Sequence, residues 1–369
     1  SRHSHLNSAH PSGSDEFSAA NSDKNVELPH SDKGADENAA PFKSSFAELQ
    51  KDNRPAQTAA VSSATDRAVC VGSDRRRGEV EDILCWPKPN YDPAFKNPCW
   101  LDNRTRLPSA VLSASRSRLR HPAGILYCLP YFHILGTSKA GTTDFYRRLS
   151  LHRDIVPNSG IFGKERLFWS WSKYGYSYRN RGTHNTQFRD YIRGFSPIAS
   201  SLKLAGPHKR ARLVTLDGSP PDMWDFRGWN LLPQNRGLRE PAVLTPHLMK
   251  HVYRDPKFIV LLREPVERLY TAYFFHKMGY SAQEFHNDVL RSIAKFEFCL
   301  RTAPSKRECY FNASVLNEMN VEIGFACPSV YIKEWFAVFP RNRFLFMRTE
   351  SYIENVKQHL QTVFKFLEL

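Results

Sequence analysis

The chain has 369 residues, with 52 Lys and Arg against 37 Asp and Glu, a formal net charge of +15 and 41% hydrophobic residues. That length admits one or two domains, and the charge favours a polyanionic partner, either nucleic acid or sulfated glycan. No apolar stretch reaches the ~18 residues of a membrane-spanning helix, no nucleic-acid-binding motif accompanies the basic runs, and the seven cysteines form no C-x-x-C, so no metal is expected.

In chain order, residues 1–80 are rich in Ser, Asp, Asn, Lys and Ala and poor in large apolar residues. Such a segment cannot offset its ordering entropy by burial and is expected to be a disordered stem. From Trp86 onward aromatic and aliphatic residues are dense, and residues 85–369 suffice for one α/β core. Basic runs stand at residues 75–77, 104–106, 116–121 and 209–212, and Asn103 and Asn312 begin Asn-x-Ser/Thr glycosylation triplets.

The run Tyr131-Phe-His-Ile-Leu135 predicts a buried strand over 131–135, and Thr142-Thr-Asp-Phe-Tyr-Arg-Arg-Leu149 opens a helix over 142–150. The turn between them, Gly136-Thr-Ser-Lys-Ala-Gly141, leads backbone N–H groups and the positive helix end to one spot, an anion cradle to which Lys139 adds a full charge. A Walker A loop has its lysine after the second glycine; here Lys139 precedes Gly141 by two positions, which argues against a nucleotide kinase. Next comes Lys164-Glu-Arg-Leu-Phe-Trp169, and then the aromatic and basic stretch 168–212. Its Trp169, Trp171, Tyr174, Tyr176, Arg179 and Arg181 read equally as a sugar-binding wall or as core packing. A strand is predicted over 213–217, just before Gly218-Ser-Pro-Pro-Asp-Met-Trp224.

The apolar run Lys257-Phe-Ile-Val-Leu-Leu262 predicts a strand over 258–262 that runs into Arg263-Glu-Pro-Val-Glu-Arg-Leu-Tyr-Thr-Ala-Tyr273. Pro265 suits the first turn of a helix over 265–276. Arg263 at a strand exit is placed to fork onto a phosphate, and Thr271 offers a hydroxyl about two turns on. Helices follow over 284–297, 329–338 and 354–367, with a last strand over 344–347. Strands alternating with helices imply a parallel sheet covered on both faces, with ligands at the carboxyl ends of the strands. All three motifs fall there.

The lysine-before-glycine cradle, the Lys-Glu pair followed by aromatics, and the pattern R-x-P-x-x-R-x-x-[S/T]-x-Y filled by Arg263, Pro265, Arg268, Thr271 and Tyr273 resemble the carbohydrate sulfotransferases that use PAPS (3′-phosphoadenosine 5′-phosphosulfate). With Cys128-Leu-Pro-Tyr-Phe-His, Asp217-Gly-Ser-Pro-Pro-Asp-Met-Trp224 and Pro246-His-Leu-Met-Lys250, the resemblance extends to the N-acetylgalactosamine 4-sulfate 6-O-sulfotransferase branch and covers residues 85–369. It implies a P-loop-like PAPS sulfotransferase fold, a central parallel sheet flanked by helices. PAPS would be held by Lys139, Ala140, Gly141, Thr142 and Thr143 at the 5′-phosphosulfate and by Arg263 and Thr271 at the 3′-phosphate. Lys139 and Glu165 would be catalytic, Glu165 as general base, and Lys164, Arg166 and Ser219 would meet the acceptor.

That acceptor would be a sulfated glycosaminoglycan and not nucleic acid: chondroitin or dermatan sulfate by the branch, heparan sulfate as the alternative. A non-catalytic glycan-binding relative is the other reading. Family members resemble type II Golgi proteins, so an N-terminal anchor ahead of Ser1 and a segment past Leu369 that closes on the adenosine are expected. A luminal location would allow disulfides; Cys299 is expected to pair with Cys309 or Cys327, and the odd cysteine count leaves a thiol over.

Overall fold

The computed structural model describes residues 80–102, 124–176 and 185–369. The expected disordered stem, Cys70, the runs at 75–77, 104–106 and 116–121, the Asn103 triplet, Arg179 and Arg181 lie outside these residues. Seven strands are described: β1 (Cys99–Asp102), β2 (Ile125–Cys128), β3 (Phe132–Gly136), β4 (Ile155–Val156), β5 (Val214–Asp217), β6 (Lys257–Leu262) and β7 (Phe344–Arg348). The α-helices are α1 (Thr142–Leu149), α2 (Phe188–Arg193), α3 (Ser196–Leu204), α4 (Pro207–Arg210), α5 (Thr245–Val252), α6 (Pro265–Phe275), α7 (Ala282–Thr302), α8 (Lys306–Phe311), α9 (Ala313–Asn317), α10 (Pro328–Phe336), α11 (Thr349–Glu354) and α12 (Val356–Leu367).

Five strands form one parallel sheet in the order β4-β5-β3-β6-β7. β3 lies at its centre and is buried along its whole length, as an apolar strand covered on both faces must be. Alternation along β6 divides the core: Ile259 and Leu261 face α1 and α12, where Phe145, Leu149, Val363 and Leu367 are buried. Phe258 and Val260 face the larger cluster containing Trp169, Tyr191, Tyr253 and Trp335. Each such side chain contributes about 1.5–3 kcal/mol by leaving water. His133, on the Phe258 side of β3, lies between Tyr253 and Phe258 with neither ring nitrogen hydrogen-bonded, and burial holds its pKa down to about 3.

All four predicted strands are present, with ends shifted by a residue. The helix predicted over 284–297 runs from Ala282 to Thr302 because Ser281 caps it, accepting from the Glu284 N–H, and the Ala303–Pro304 step ends it. The helix predicted over 354–367 is present from Val356 to Leu367, capped by Asn355, whose side chain accepts from the Gln358 N–H, and the turn expected before it is a separate short helix, Thr349–Glu354. The antiparallel pair β1–β2 had not been predicted; the Cys99–Cys128 disulfide joins two residues directly opposite in its register. Of the two partners open to Cys299, the structure selects Cys309, and Cys327 is free. The aromatic stretch splits: Trp169 and Tyr174 are core, Trp169 packing on Phe168, Phe188 and Tyr191, whereas Trp171 is half-buried and Tyr176 exposed. No helix among the described residues is long and apolar enough to cross a membrane.

Candidate active site

The carboxyl ends of β3, β5, β6 and β7 lie side by side, and the loops leaving them build the site. The β3–α1 loop owes its shape to two positions. Gly136 has φ +142°, and a Cβ there would sit 2.3 Å from Leu261 O, so only glycine lets β3 end this close to β6. Lys139 and the helix-flanking Gly141 both take the left-handed region, at φ 70° and 75°. For lysine this is a strained conformation of the kind that clusters at functional sites. α1 has no side-chain cap, so its first N–H groups, from Thr142 and Thr143, have no partner within the helix. With the helix dipole they make the space in front of the loop favourable to an anion.

Neighbouring strands brace this loop. Thr137 N–H donates to Leu261 O. Arg263 Nη1 lies 3.0 Å from Lys139 O and 3.2 Å from Thr271 Oγ1, which brings the cradle and the predicted 3′-phosphate pair together at the end of β6. Thr349, at the exit of β7, lies 2.8 Å from Ala140 O and 3.0 Å from Leu262 O and shares its one proton between them. Sequence reasoning missed Thr349; its place just past the last strand was the only available signal.

Lys139 Nζ sits 3.2 Å from the centroid of the Phe275 ring. Its pKa is lowered by burial and by the charges of Arg263 and Lys164, with Glu165 opposing. Lys164 is almost wholly buried; its Nζ donates to Thr142 Oγ1 at 3.1 Å and to Glu165 Oε1 at 2.6 Å, joining the carboxylate to the cradle's helix. Burial lowers the Lys164 pKa, and Glu165 partly restores it. Glu165 itself is partly open to solvent.

A scaffold under residues 158–167 fixes that carboxylate. Asn158 Nδ2 donates to Lys164 O and Leu216 O, Gly218 N–H donates to Lys164 O, and Tyr146 OH donates to Gly163 O. Ser219, expected at the acceptor, is buried: its Oγ accepts from the Arg166 and Leu167 N–H groups and donates to Asp217 Oδ1. Asp217 also accepts from Tyr191 OH, and its burial raises its pKa to about 6. Arg166 turns its guanidinium toward Ser159 Oγ and Asp190 O. Arg268 is buried against Glu322, and Tyr273 OH donates to Asp288, so these two members of the R-x-P-x-x-R pattern anchor α6.

Lys164 through Thr142 Oγ1, and Arg263 through Lys139 O, are therefore tied to one loop and to the uncapped start of α1, with the Glu165 carboxylate beside it; the Thr271 hydroxyl accepts from Arg263 and donates to Glu267 O. The residues present fit PAPS. Among the described residues no group of three or more His, Cys, Asp or Glu side chains could hold a metal ion.

The parallel sheet and this cradle define a sulfuryl-transfer class of protein, and the sulfotransferase domain family matches residues 130–369: the chain belongs to that family. It is similar to carbohydrate sulfotransferase 15 of Mus musculus, 33% identical with 80% of this chain and 58% of that protein covered, and of Homo sapiens, 32% identical with 76% and 55% covered. The chain thus spans less than two thirds of the length of these curated relatives. A solved sulfotransferase from Alicyclobacillus acidocaldarius is 22% identical, covering 65% of this chain and 81% of that one at TM-score 0.41.

Proposed function

We propose that this protein transfers the sulfuryl group of PAPS to a hydroxyl of a glycosaminoglycan, with the 6-O of N-acetylgalactosamine 4-sulfate in chondroitin or dermatan sulfate as the preferred position. The observation that carries the reading is the 2.6 Å Lys164–Glu165 pair bonded into the same helix end that Lys139 flanks. This pair would keep a base beside the cation and the helix end that receive the sulfuryl donor.

In this mechanism Arg263 and Thr271 hold the 3′-phosphate. Lys139 and the N–H groups of Gly141, Thr142 and Thr143 hold the 5′-phosphosulfate. The acceptor oxygen attacks sulfur, the bond from sulfur to the bridging phosphate oxygen breaks, and 3′-phosphoadenosine 5′-phosphate (PAP) leaves. Glu165 takes the hydroxyl proton. Lys139 meets the charge that builds on the bridging oxygen, a preorganised interaction that costs no reorganisation during reaction. Lys164 keeps Glu165 oriented, and Arg166, which bonds Ser159 Oγ and Asp190 O in this structure, would have to turn from them to meet the acceptor's anionic groups. Residence in the Golgi lumen, behind an N-terminal anchor, is part of the proposal; the Cys99–Cys128 and Cys299–Cys309 disulfides suit an oxidising compartment.

The test is transfer of labelled sulfate from PAPS to chondroitin, dermatan and heparan chains, followed by disaccharide analysis. Label on galactosamine carrying sulfate at both positions 4 and 6 is expected. Label on heparan alone would move the substrate; PAP binding with no label on any chain would favour a glycan-binding relative; no PAP binding would refute the reading.

A further inference from the structure

Beside α6, and outside the cradle, lies a cleft of about 300 Å³, the lower end of the range for small-molecule sites. Trp171, Arg227, Asn317 and Glu322 line it together with His276. His276 directly follows Phe275, whose ring carries the Lys139 ammonium, so the cleft and the cradle both draw on the C-terminal end of α6. Trp171 lies six residues beyond Glu165 in the same loop system.

The polar groups are fixed in advance. Buried Asp225 accepts from Trp171 Nε1 at 2.7 Å and from both Nε and Nη2 of Arg227, at 2.8 and 2.6 Å. Arg227 Nη1 donates to Asn317 Oδ1 at 2.7 Å, which leaves the Asn317 amide NH₂ as a donor. The indole is thereby locked in place, and a guanidinium, a carboxylate and an amide stand in one array beside it. The charges balance: Arg227 is matched by Asp225, and the lining carboxylate of Glu322 by buried Arg268. A net-neutral array beside an aromatic face is poorly built for a sulfate or carboxylate. It suits a sugar ring, whose C–H face stacks on an indole and whose hydroxyls both donate and accept.

We infer that this cleft seats an uncharged pyranose face of the acceptor chain, with Trp171 beneath the ring and Arg227 and Asn317 at its hydroxyl or acetamido groups. The inference rests on the sulfotransferase reading and assigns recognition of the chain to two chemistries. The cradle and its rim take the anionic groups, and the cleft reads the ring.

The experiment is calorimetric titration of a chondroitin 4-sulfate hexasaccharide into the PAP-loaded protein at low and at high salt, for wild type, Trp171→Ala and Asn317→Ala. Asn317 is exposed, so its variant keeps the test informative if Trp171→Ala fails to fold. Expected is a tenfold or greater loss of hexasaccharide affinity for Trp171→Ala and a threefold or greater loss for Asn317→Ala, by equal factors at both salt concentrations, with PAP affinity unchanged (about 1.4 and 0.7 kcal/mol at 1.4 kcal/mol per decade). Wild-type hexasaccharide affinity in both variants would overturn the inference. A loss that vanishes at high salt would also overturn it, because the cleft would then hold an anion. Failure of the wild type to bind PAP would refute the sulfotransferase reading instead, and so is separable from both.

Discussion

Replacing Lys164 by methionine removes the ammonium and keeps most of the stem. Two hydrogen bonds go with it, the 2.6 Å bond to Glu165 and the 3.1 Å bond to Thr142 Oγ1. The bond to the carboxylate is worth about 1.5–3 kcal/mol and the one to the hydroxyl about 1 kcal/mol. Against this, methionine regains the desolvation that lowers the Lys164 pKa, and Glu165 is open enough to recruit water in place of its lost partner. The net stability loss is therefore expected within about 2 kcal/mol, or roughly 4–8 °C in Tm. Activity should respond differently. A base free to leave its geometry is expected to lower kcat at least about 100-fold, close to 2.7 kcal/mol of barrier, while PAP affinity falls only about fivefold through Thr142.

The assays are sulfate transfer at saturating PAPS, PAP titration and thermal unfolding. Turnover within threefold of wild type would show that Lys164 only fills space, and the account of the site would fail. Gly218→Ala approaches the same point from the other side, because a Cβ there would lie 2.7 Å from Lys164 Cγ; it should lower kcat in the same direction.

Glu165→Gln keeps the side-chain shape and abolishes the base, so turnover should fall by about 10²–10⁴ with PAP affinity retained; wild-type turnover would exclude Glu165 from proton transfer. Thr349→Val cuts the tie between Ala140 O and Leu262 O, and PAP affinity should weaken about fivefold for a hydrogen bond of ~1 kcal/mol; unchanged calorimetric affinity would show that the loop holds itself. Gly136→Ala meets Leu261 O and a φ unfavourable to side chains, so unfolding should ease by about 2–4 kcal/mol, read from denaturant midpoints. Lys173 is fully buried with no hydrogen bond to its Nζ, and burial lowers its pKa to about 7. Since the unfolded chain holds that proton up to a pH near 10.5, stability should rise between pH 7 and 10 in the wild type, the full penalty of about 3–5 kcal/mol being borne below pH 7. Lys173→Met should flatten that slope and be the more stable protein at pH 7; a wild-type slope in the variant would refute the assignment.

The parts of the site legible in the sequence are those made by contiguous residues. A strand, a glycine-bearing turn and a helix start lie within sixteen residues of one another around Lys139, and the Arg263–Thr271 contact spans eight. Hydrogen bonds between residues far apart in the chain left no such trace. Thr349 meets Ala140 across 209 positions, and Ser219 meets Leu167 across 52. Ser219 fell in a recognisable motif, yet only the structure shows that its hydroxyl is used up beneath the loop. Helices α2 to α5 are too short, at four to nine residues, to show a clear period, with Gly194 and Gly206 between the first three and Pro in the first turn of α3, α4 and α5. The Cys99–Cys128 bond depends on a strand pairing that cysteine spacing does not encode.

The same long-range contacts tie the cradle to the sheet. The cradle is not a freestanding loop: Leu261 O, Leu262 O and Arg263 at the end of β6 and Thr349 beyond β7 all bond it or share a bond with it. A phosphate bound at Arg263, as proposed, would draw on the guanidinium that also holds Lys139 O. At the opposite side, Lys164 carries the position of Thr142 to Glu165. On the proposed function, donor binding and base placement would be linked through residues 139–142, and a variant that loosens either anchor should raise the KM for PAPS and lower turnover together. Substitution in the Trp171 cleft should move the acceptor terms alone.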